Sequence, residues 1–224
     1  LALLLVLDPI RWWFFEDPYL RMFYLLIFAT ATAYMLVPLV SILARYIGAL
    51  DYPDQRKVHR TPTPLLGGLV IFLAFAITVL INNIYTDELK GVAIAGTLVF
   101  LVGMIDDIRA LSAKLRLLVQ IVAVGIMIEY GVRVRFLPES LWGDLLEILF
   151  TMFWMIGIIN AVNFLDGLDG LASGSVMIGA AAFSLIALQT GQPYMRFLSI
   201  ALMGSCLGFL PYNFRRGKAA SIFL

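Results

Sequence analysis

The chain has 224 residues, of which 62% are hydrophobic and only 14% charged, with a mean hydropathy of +0.94. A soluble domain of this length could not hide so much apolar surface, so the composition points to an integral membrane protein. A net charge of +1 excludes a bulk nucleic-acid binder, and a single cysteine, Cys206, excludes an intrachain disulfide or a cysteine metal site.

The opening "LALLLVLDPIRWWFF" has no basic n-region and no small-residue cleavage site. Residues 1–19 therefore read as an interfacial or truncated segment, with Trp12 and Trp13 suited to a membrane-interface belt. Residues 20–224 read as one membrane-embedded domain. Seven spans are expected, at about 20–44, 65–82, 91–105, 115–130, 146–162, 170–189 and 194–212. The fold class expected is all-α and polytopic.

Ten of the sixteen Lys and Arg residues fall in the loops 45–64, 106–116, 163–169 and 213–224. The positive-inside bias places those loops in the cytoplasm. The same loops hold Asp51, Asp54, Asp106, Asp107, Asp166, Asp169 and the only histidine, His59. The polar inventory able to do chemistry is thus expected on one face.

Four stretches carry that inventory. In "DYPDQRKVHRTPTPLLGG" (51–68), Pro53, Pro62 and Pro64 favour an extended loop. Arg56, Lys57, His59 and Arg60 there would attract phosphate, although a basic loop alone is more often a positive-inside anchor. In "GMIDDIRALSAK" (103–114), Asp106 and Asp107 repel unless they share a cation or proton. Such hard oxygen ligands suit Mg²⁺, which keeps waters and bridges to substrate phosphates. Lys114 is two turns beyond Asp107 if the segment is helical, placed to hold a phosphate or pair with Asp107. An isolated Asp-Asp is more often a solvated loop.

In "NAVNFLDGLDGLA", Asn160, Asn163, Asp166 and Asp169 recur every three residues, which on a helix end would align them in one stripe. Asp169 alone could instead cap the next helix, but capping does not explain four residues in register. Polar residues at a membrane boundary that face a cavity are functional by default. The last stretch, "GFLPYNFRRGKAASIFL" (208–224), ends a span at Asn213 and follows it with Arg215, Arg216 and Lys218. By itself it reads as an anchor.

Taken together and in order, "RKVHRTPTPLLGG", "GMIDDIRALSAKLRLLVQ", "NAVNFLDGLDGLA" and "GFLPYNFRRGKAASIFL" resemble the polyprenyl-phosphate N-acetylhexosamine-1-phosphate transferases. That family includes the bacterial enzymes that start O-antigen, enterobacterial common antigen and teichoic-acid synthesis. The resemblance runs from about residue 20 to the end. It implies a helical membrane fold of ten or eleven spans in the bacterial inner membrane, with the site facing the cytoplasm. It implies transfer of a sugar 1-phosphate, GlcNAc-1-phosphate foremost, from a UDP-N-acetylhexosamine to undecaprenyl phosphate, with release of UMP and a need for Mg²⁺ or Mn²⁺. The lipid tail would lie in a groove between spans, and homodimers occur in the family.

By the same resemblance, Asp106 and Asp107 match the family's catalytic aspartate pair, and Asp107 with Asn163 would serve the metal. Lys57, His59, Lys114, Asn160, Asp166, Asp169 and Asn213 would bind substrate, with Asp166 and Asp169 on the nucleotide side. Two departures stand out. Leu65 and Leu66 replace a basic residue or a Thr-Met pair common in relatives. The family's Gly-Asp metal motif and His-rich loop would lie beyond Leu224, so these 224 residues alone are expected to be inactive or nearly so. The alternatives are a phospho-N-acetylmuramoyl-pentapeptide transferase and, from another class, a polytopic transporter. A transporter would more often bury its polar residues near the midplane.

Overall fold

A computed structural model describes residues 14, 17–52, 62–215 and 219–224. Lys57 and His59 lie outside the described residues. Seven helices are present among those described: α1 (Pro18–Ile47), α2 (Gly67–Ile81), α3 (Asp87–Ile108), α4 (Ala113–Glu129), α5 (Leu141–Leu165), α6 (Leu171–Gln189) and α7 (Pro193–Asn213). Five of them, α1, α3, α5, α6 and α7, are long and apolar enough to cross a membrane. The protein is an all-α, multi-pass membrane protein, and each expected span corresponds to one helix.

The helices start and stop where local chemistry directs. Asp17 begins α1 by accepting hydrogen bonds from the backbone N–H groups of Tyr19 (2.7 Å) and Leu20 (3.0 Å), with Pro18 in the first helical position. Gly48, in the left-handed region at φ 76°, ends it. Thr86 caps α3 through Leu89 N–H, and Ser112 caps α4 through Leu115 N–H. Asp87 and Glu88 complement the positive end of α3. That start extends the helix four residues before the expected Gly91, because charged residues leave a hydropathy run but suit a helix N-terminus.

The helices group into two compact units. The first comprises α1, α2, α6 and α7 together with a small hairpin and the 219–224 tail. α7 packs against the other three helices. It runs parallel to α1: a side chain at Gly204 would strike Leu26 O and Ala29, and one at Gly208 would strike Thr30 O and Ala33. The spacing Gly204-x-x-x-Gly208 clears a strip along which the two backbones approach, the usual means of joining helices in lipid. The buried hydroxyls of Thr78 and Ser205 bond within their own helices, to Ala74 O (2.7 Å) and Ala201 O (2.9 Å), which satisfies them in apolar surroundings.

The hairpin pairs β1 (Leu50–Asp51) with β2 (Thr63–Pro64), antiparallel, Leu50 opposite Pro64. Phe223 continues this edge, donating to Pro64 O (2.9 Å) and accepting from Gly67 N–H (2.8 Å). The tail is thereby tied to the start of α2.

The second unit, Tyr85–Leu165, holds α3, α4 and α5. The turn between α4 and α5 is organised by Glu147, which is buried and accepts from Phe136 N–H (2.6 Å) and Leu137 N–H (2.8 Å). Thr151 accepts from Val134 N–H, and Arg133 pairs with Asp144 at 2.8 Å. Phe136 meets Phe150 edge-on, and Phe150 stacks on Trp154. Glu147→Ala would leave two backbone donors unsatisfied, so it is expected to cost about 2 kcal/mol or more in thermal unfolding of the detergent-solubilised protein.

Candidate functional site

The candidate residues of the second unit lie near the C-terminal ends of α3 and α5 and at the N-terminal end of α4. Asp106 and Asp107 lie in the last turn of α3, not in a loop after it. Their shared repulsion is resolved asymmetrically. Asp106 accepts from Leu111 N–H (2.6 Å) through one oxygen and from Arg116 (2.9 Å) through the other. It closes the turn from α3 into α4. Asp107 makes no hydrogen bond or ion pair among the described residues and its residue is exposed. One carboxylate fixes the turn, and the adjacent one is left with its oxygens available.

The chain breaks helix at 109–112, so Lys114 is not two turns beyond Asp107 on one continuous helix. Ser112 caps the second helix and causes the break. Lys114 stands exposed in the first turn of α4, and the cation that meets the aspartate pair is Arg116 instead, on Asp106.

Asn160 is one half of an amide pair: its Nδ2 donates to Gln120 Oε1 (2.8 Å) and to Ile156 O (2.8 Å). That pair joins α4 to α5. Asn163, one turn further toward the end of α5, is exposed and makes no side-chain hydrogen bond among the described residues.

The expected stripe of four is split. Asn160 and Asn163 lie on α5, whereas Asp166 and Asp169 fall in the turn that follows, in the first unit. The glycines cause the split. Gly170 adopts φ 75°, outside the helical region, and a side chain there would press on Phe214 Cβ at 2.7 Å. Gly170, not Asp169, is the residue that caps α6, and no side chain of its own closes that end. The capping explanation for Asp169 therefore does not hold. Its carboxylate is exposed, without a hydrogen bond or ion pair among the described residues.

Asn213 performs the closing role. It is buried, its Oδ1 accepts from Gly170 N–H (2.8 Å) and Ser173 Oγ (3.4 Å), and its Nδ2 donates to Ile222 O (3.0 Å). The amide expected among substrate-binding groups thus binds three parts of the protein: the α6 start, the α7 end and the tail. Asn213→Ala is expected to lower stability by about 3 kcal/mol, since it orphans several buried groups at once. A melting curve of the solubilised protein checks this; an unchanged midpoint would remove Asn213 from the clamp. Beside the clamp, α2, α6 and α7 line an open apolar groove of about 300 Å³, with Phe72, Phe75, Val176, Leu202 and Cys206 in its walls.

Among the described residues no three His, Cys, Asp or Glu side chains converge as a metal cluster. Asp107 and Asn163 each present an exposed side chain without a hydrogen bond among the described residues.

Comparison with known proteins then places the chain. Residues 89–224 match the model of glycosyl transferase family 4. The chain belongs to this family. A probable undecaprenyl-phosphate N-acetylglucosaminyl 1-phosphate transferase of Bacillus subtilis is 34% identical over 220 residues, covering 93% of the chain and 62% of that relative. A decaprenyl-phosphate N-acetylglucosaminephosphotransferase of Mycobacterium leprae is 36% identical over 214 residues, covering 85% of the chain and 54% of the relative. A phospho-N-acetylmuramoyl-pentapeptide-transferase of Alkaliphilus oremlandii is 36% identical over 188 residues, covering 71% and 56%. This glycosyl transferase family 4 chain therefore spans somewhat over half the length of these relatives. The resemblance drawn from its four stretches is borne out at the level of the family.

Sequence reasoning missed Arg116 and Gln120. Both lie on α4 with ordinary helical spacing from Lys114, and only the fold shows that each reaches a neighbouring helix. A basic residue ten positions after Asp106 is a signal for Arg116 only once the turn between them is known.

Proposed function

We propose that the complete protein transfers N-acetylglucosamine 1-phosphate from a UDP-sugar to undecaprenyl phosphate, releasing UMP, at the cytoplasmic face of the bacterial inner membrane. The observation that carries this reading is the division of labour at the end of α3: Asp106 is held by Leu111 and Arg116, and Asp107 beside it is left unengaged. The relatives, transferases of N-acetylglucosamine 1-phosphate to undecaprenyl or decaprenyl phosphate by name, support the acceptor and sugar classes.

In the reaction, a phosphate oxygen of the lipid attacks the phosphorus that carries the sugar. The bond from that phosphorus to the bridging oxygen breaks, and UMP departs with the oxygen. Such chemistry needs positioning and charge neutralisation more than covalent help. Asp107 orients the lipid phosphate or takes its proton. Asp107 and Asn163 would hold Mg²⁺ or Mn²⁺, which when bound neutralises charge on the pyrophosphate. Lys114 supplies a cation for phosphate, and Asp166 and Asp169 face the nucleotide side. Lys57 and His59 contribute further phosphate contacts.

A muramoyl-pentapeptide donor is the second reading, favoured by the Alkaliphilus relative. The two are separated by offering the complete natural protein UDP-GlcNAc and UDP-MurNAc-pentapeptide in separate reactions and extracting lipid-linked sugar. Product from UDP-GlcNAc alone supports the first reading. Product from the pentapeptide donor alone replaces it with the second.

A further inference from the structure

The amide pair between α4 and α5 spends its hydrogen bonds unequally. Asn160 lies within the last two turns of α5, and Gln120 two turns into α4. Asn160 Nδ2 donates to Ile156 O (2.8 Å) and to Gln120 Oε1 (2.8 Å). A backbone carbonyl can only accept, so the bond to Ile156 O fixes which way round the Asn160 amide sits. Both of its N–H groups are thereby taken up inside the protein. Its Oδ1 receives only Gln120 Nε2, at 3.5 Å, among the described residues. Asn160 is exposed, and that oxygen is the part of its amide still able to take a ligand. Beside it, Gln120 Nε2 keeps a second N–H with no bond among the described residues.

An acceptor and a donor thus stand together, and their chemistry selects what meets them. A phosphate oxygen would face Asn160 Oδ1 acceptor to acceptor. A cation on that oxygen would meet the positive edge of the Gln120 amide. A hydroxyl both donates and accepts, so a single hydroxyl satisfies the two. The neighbours in sequence, Val119, Ile121, Ile159 and Ala161, are apolar. An exposed amide pair among them would be costly against hydrocarbon, so this face borders polar space rather than lipid tails. A pair that only joined the two helices would be buried between them. Gln120 is one turn from Arg116 on α4, and Asn160 one turn from Asn163 on α5, on shared helix faces. The pair therefore lies one turn inward from residues already placed at the candidate site.

We propose that Asn160 and Gln120 form a hydroxyl-binding subsite for the sugar nucleotide. Asn160 Oδ1 accepts from one of its hydroxyls, and Gln120 Nε2 donates to the same hydroxyl oxygen. This rests on the transferase reading above, and adds to it the group that meets Asn160 and a substrate contact for Gln120. The hydroxyl belongs either to the hexosamine or to the ribose.

The test is steady-state formation of lipid-linked sugar by the complete natural protein, with UDP-GlcNAc and with donors lacking one hydroxyl each, on the hexosamine or on the ribose. With one of these donors the wild type is expected to lose about tenfold in kcat/KM, the scale of one or two neutral hydrogen bonds. Gln120→Leu is expected to lose about tenfold with UDP-GlcNAc and almost nothing further with that same donor, because the two changes remove one contact. The donor at which the losses fail to add identifies the hydroxyl and assigns it to hexosamine or ribose. If Gln120→Leu does not fold, Gln120→Met, which keeps the length without the amide, takes its place. Wild-type kcat/KM equal for every donor overturns the subsite. So does a variant whose loss is the same factor with all donors, the signature of a pair that merely joins helices. A folded wild type that makes no product from UDP-GlcNAc overturns the donor reading itself, and the subsite with it.

Discussion

In the complete natural protein, Asp107→Asn is expected to lower sugar-phosphate transfer by at least about a hundredfold while leaving the melting temperature nearly unchanged. The expectation rests on what each carboxylate of the pair touches. Asp107 has no hydrogen bond or ion pair among the described residues, so its loss removes little from the fold. What it removes is a negative oxygen at the place proposed for metal and lipid phosphate. Asp106→Asn should behave differently. It weakens the contact to Arg116, whose side chain is 41% exposed, so the stability cost is only about 1 kcal/mol after screening. Activity should still fall, because the α3–α4 turn positions Asp107. Its signature is a loss of both stability and rate, against a loss of rate alone for Asp107. If Asp107→Asn transferred at the wild-type rate, the assignment of the chemistry to this end of α3 would be wrong.

The largest structural effect is expected at Gly208. Any side chain there meets Thr30 O and Ala33 on α1, and backbone cannot give way as a flexible side chain can. Gly208→Leu should therefore cost about 3 kcal/mol or more, the upper range for overpacking. The first unit should come apart along α1 and α7, read as aggregation on size exclusion and as proteolysis of the α1 region. Gly96→Leu is the control: nothing stands within 4 Å of a Cβ at Gly96, so that variant should elute as the wild type does. Equal behaviour of the two variants would contradict the parallel packing of α1 and α7.

The helices were legible because lipid demands long apolar runs, and those runs are read directly from composition. Their boundaries were less legible where polar residues do helix work. Asp87 and Glu88 belong to α3 because they suit its positive end, yet they dilute its hydropathy. The hairpin at Leu50 and Thr63 is too short to carry an alternating pattern, so it left no signal. At the candidate site, residue types were legible and roles were not. Asn213 and Asn163 look alike in sequence, but one is buried under three partners and the other is exposed without one. The difference lies in contacts 40 or more residues apart, such as Asn160 with Gln120 and Asn213 with Gly170, which periodicity along the chain cannot encode.

The most direct test of the transferase account is UMP release by the complete natural protein supplied with UDP-GlcNAc, Mg²⁺ and undecaprenyl phosphate. The account predicts release that depends on the lipid, with one lipid-linked sugar phosphate formed for each UMP. A folded protein that released no UMP, or released it equally without the lipid, would contradict it.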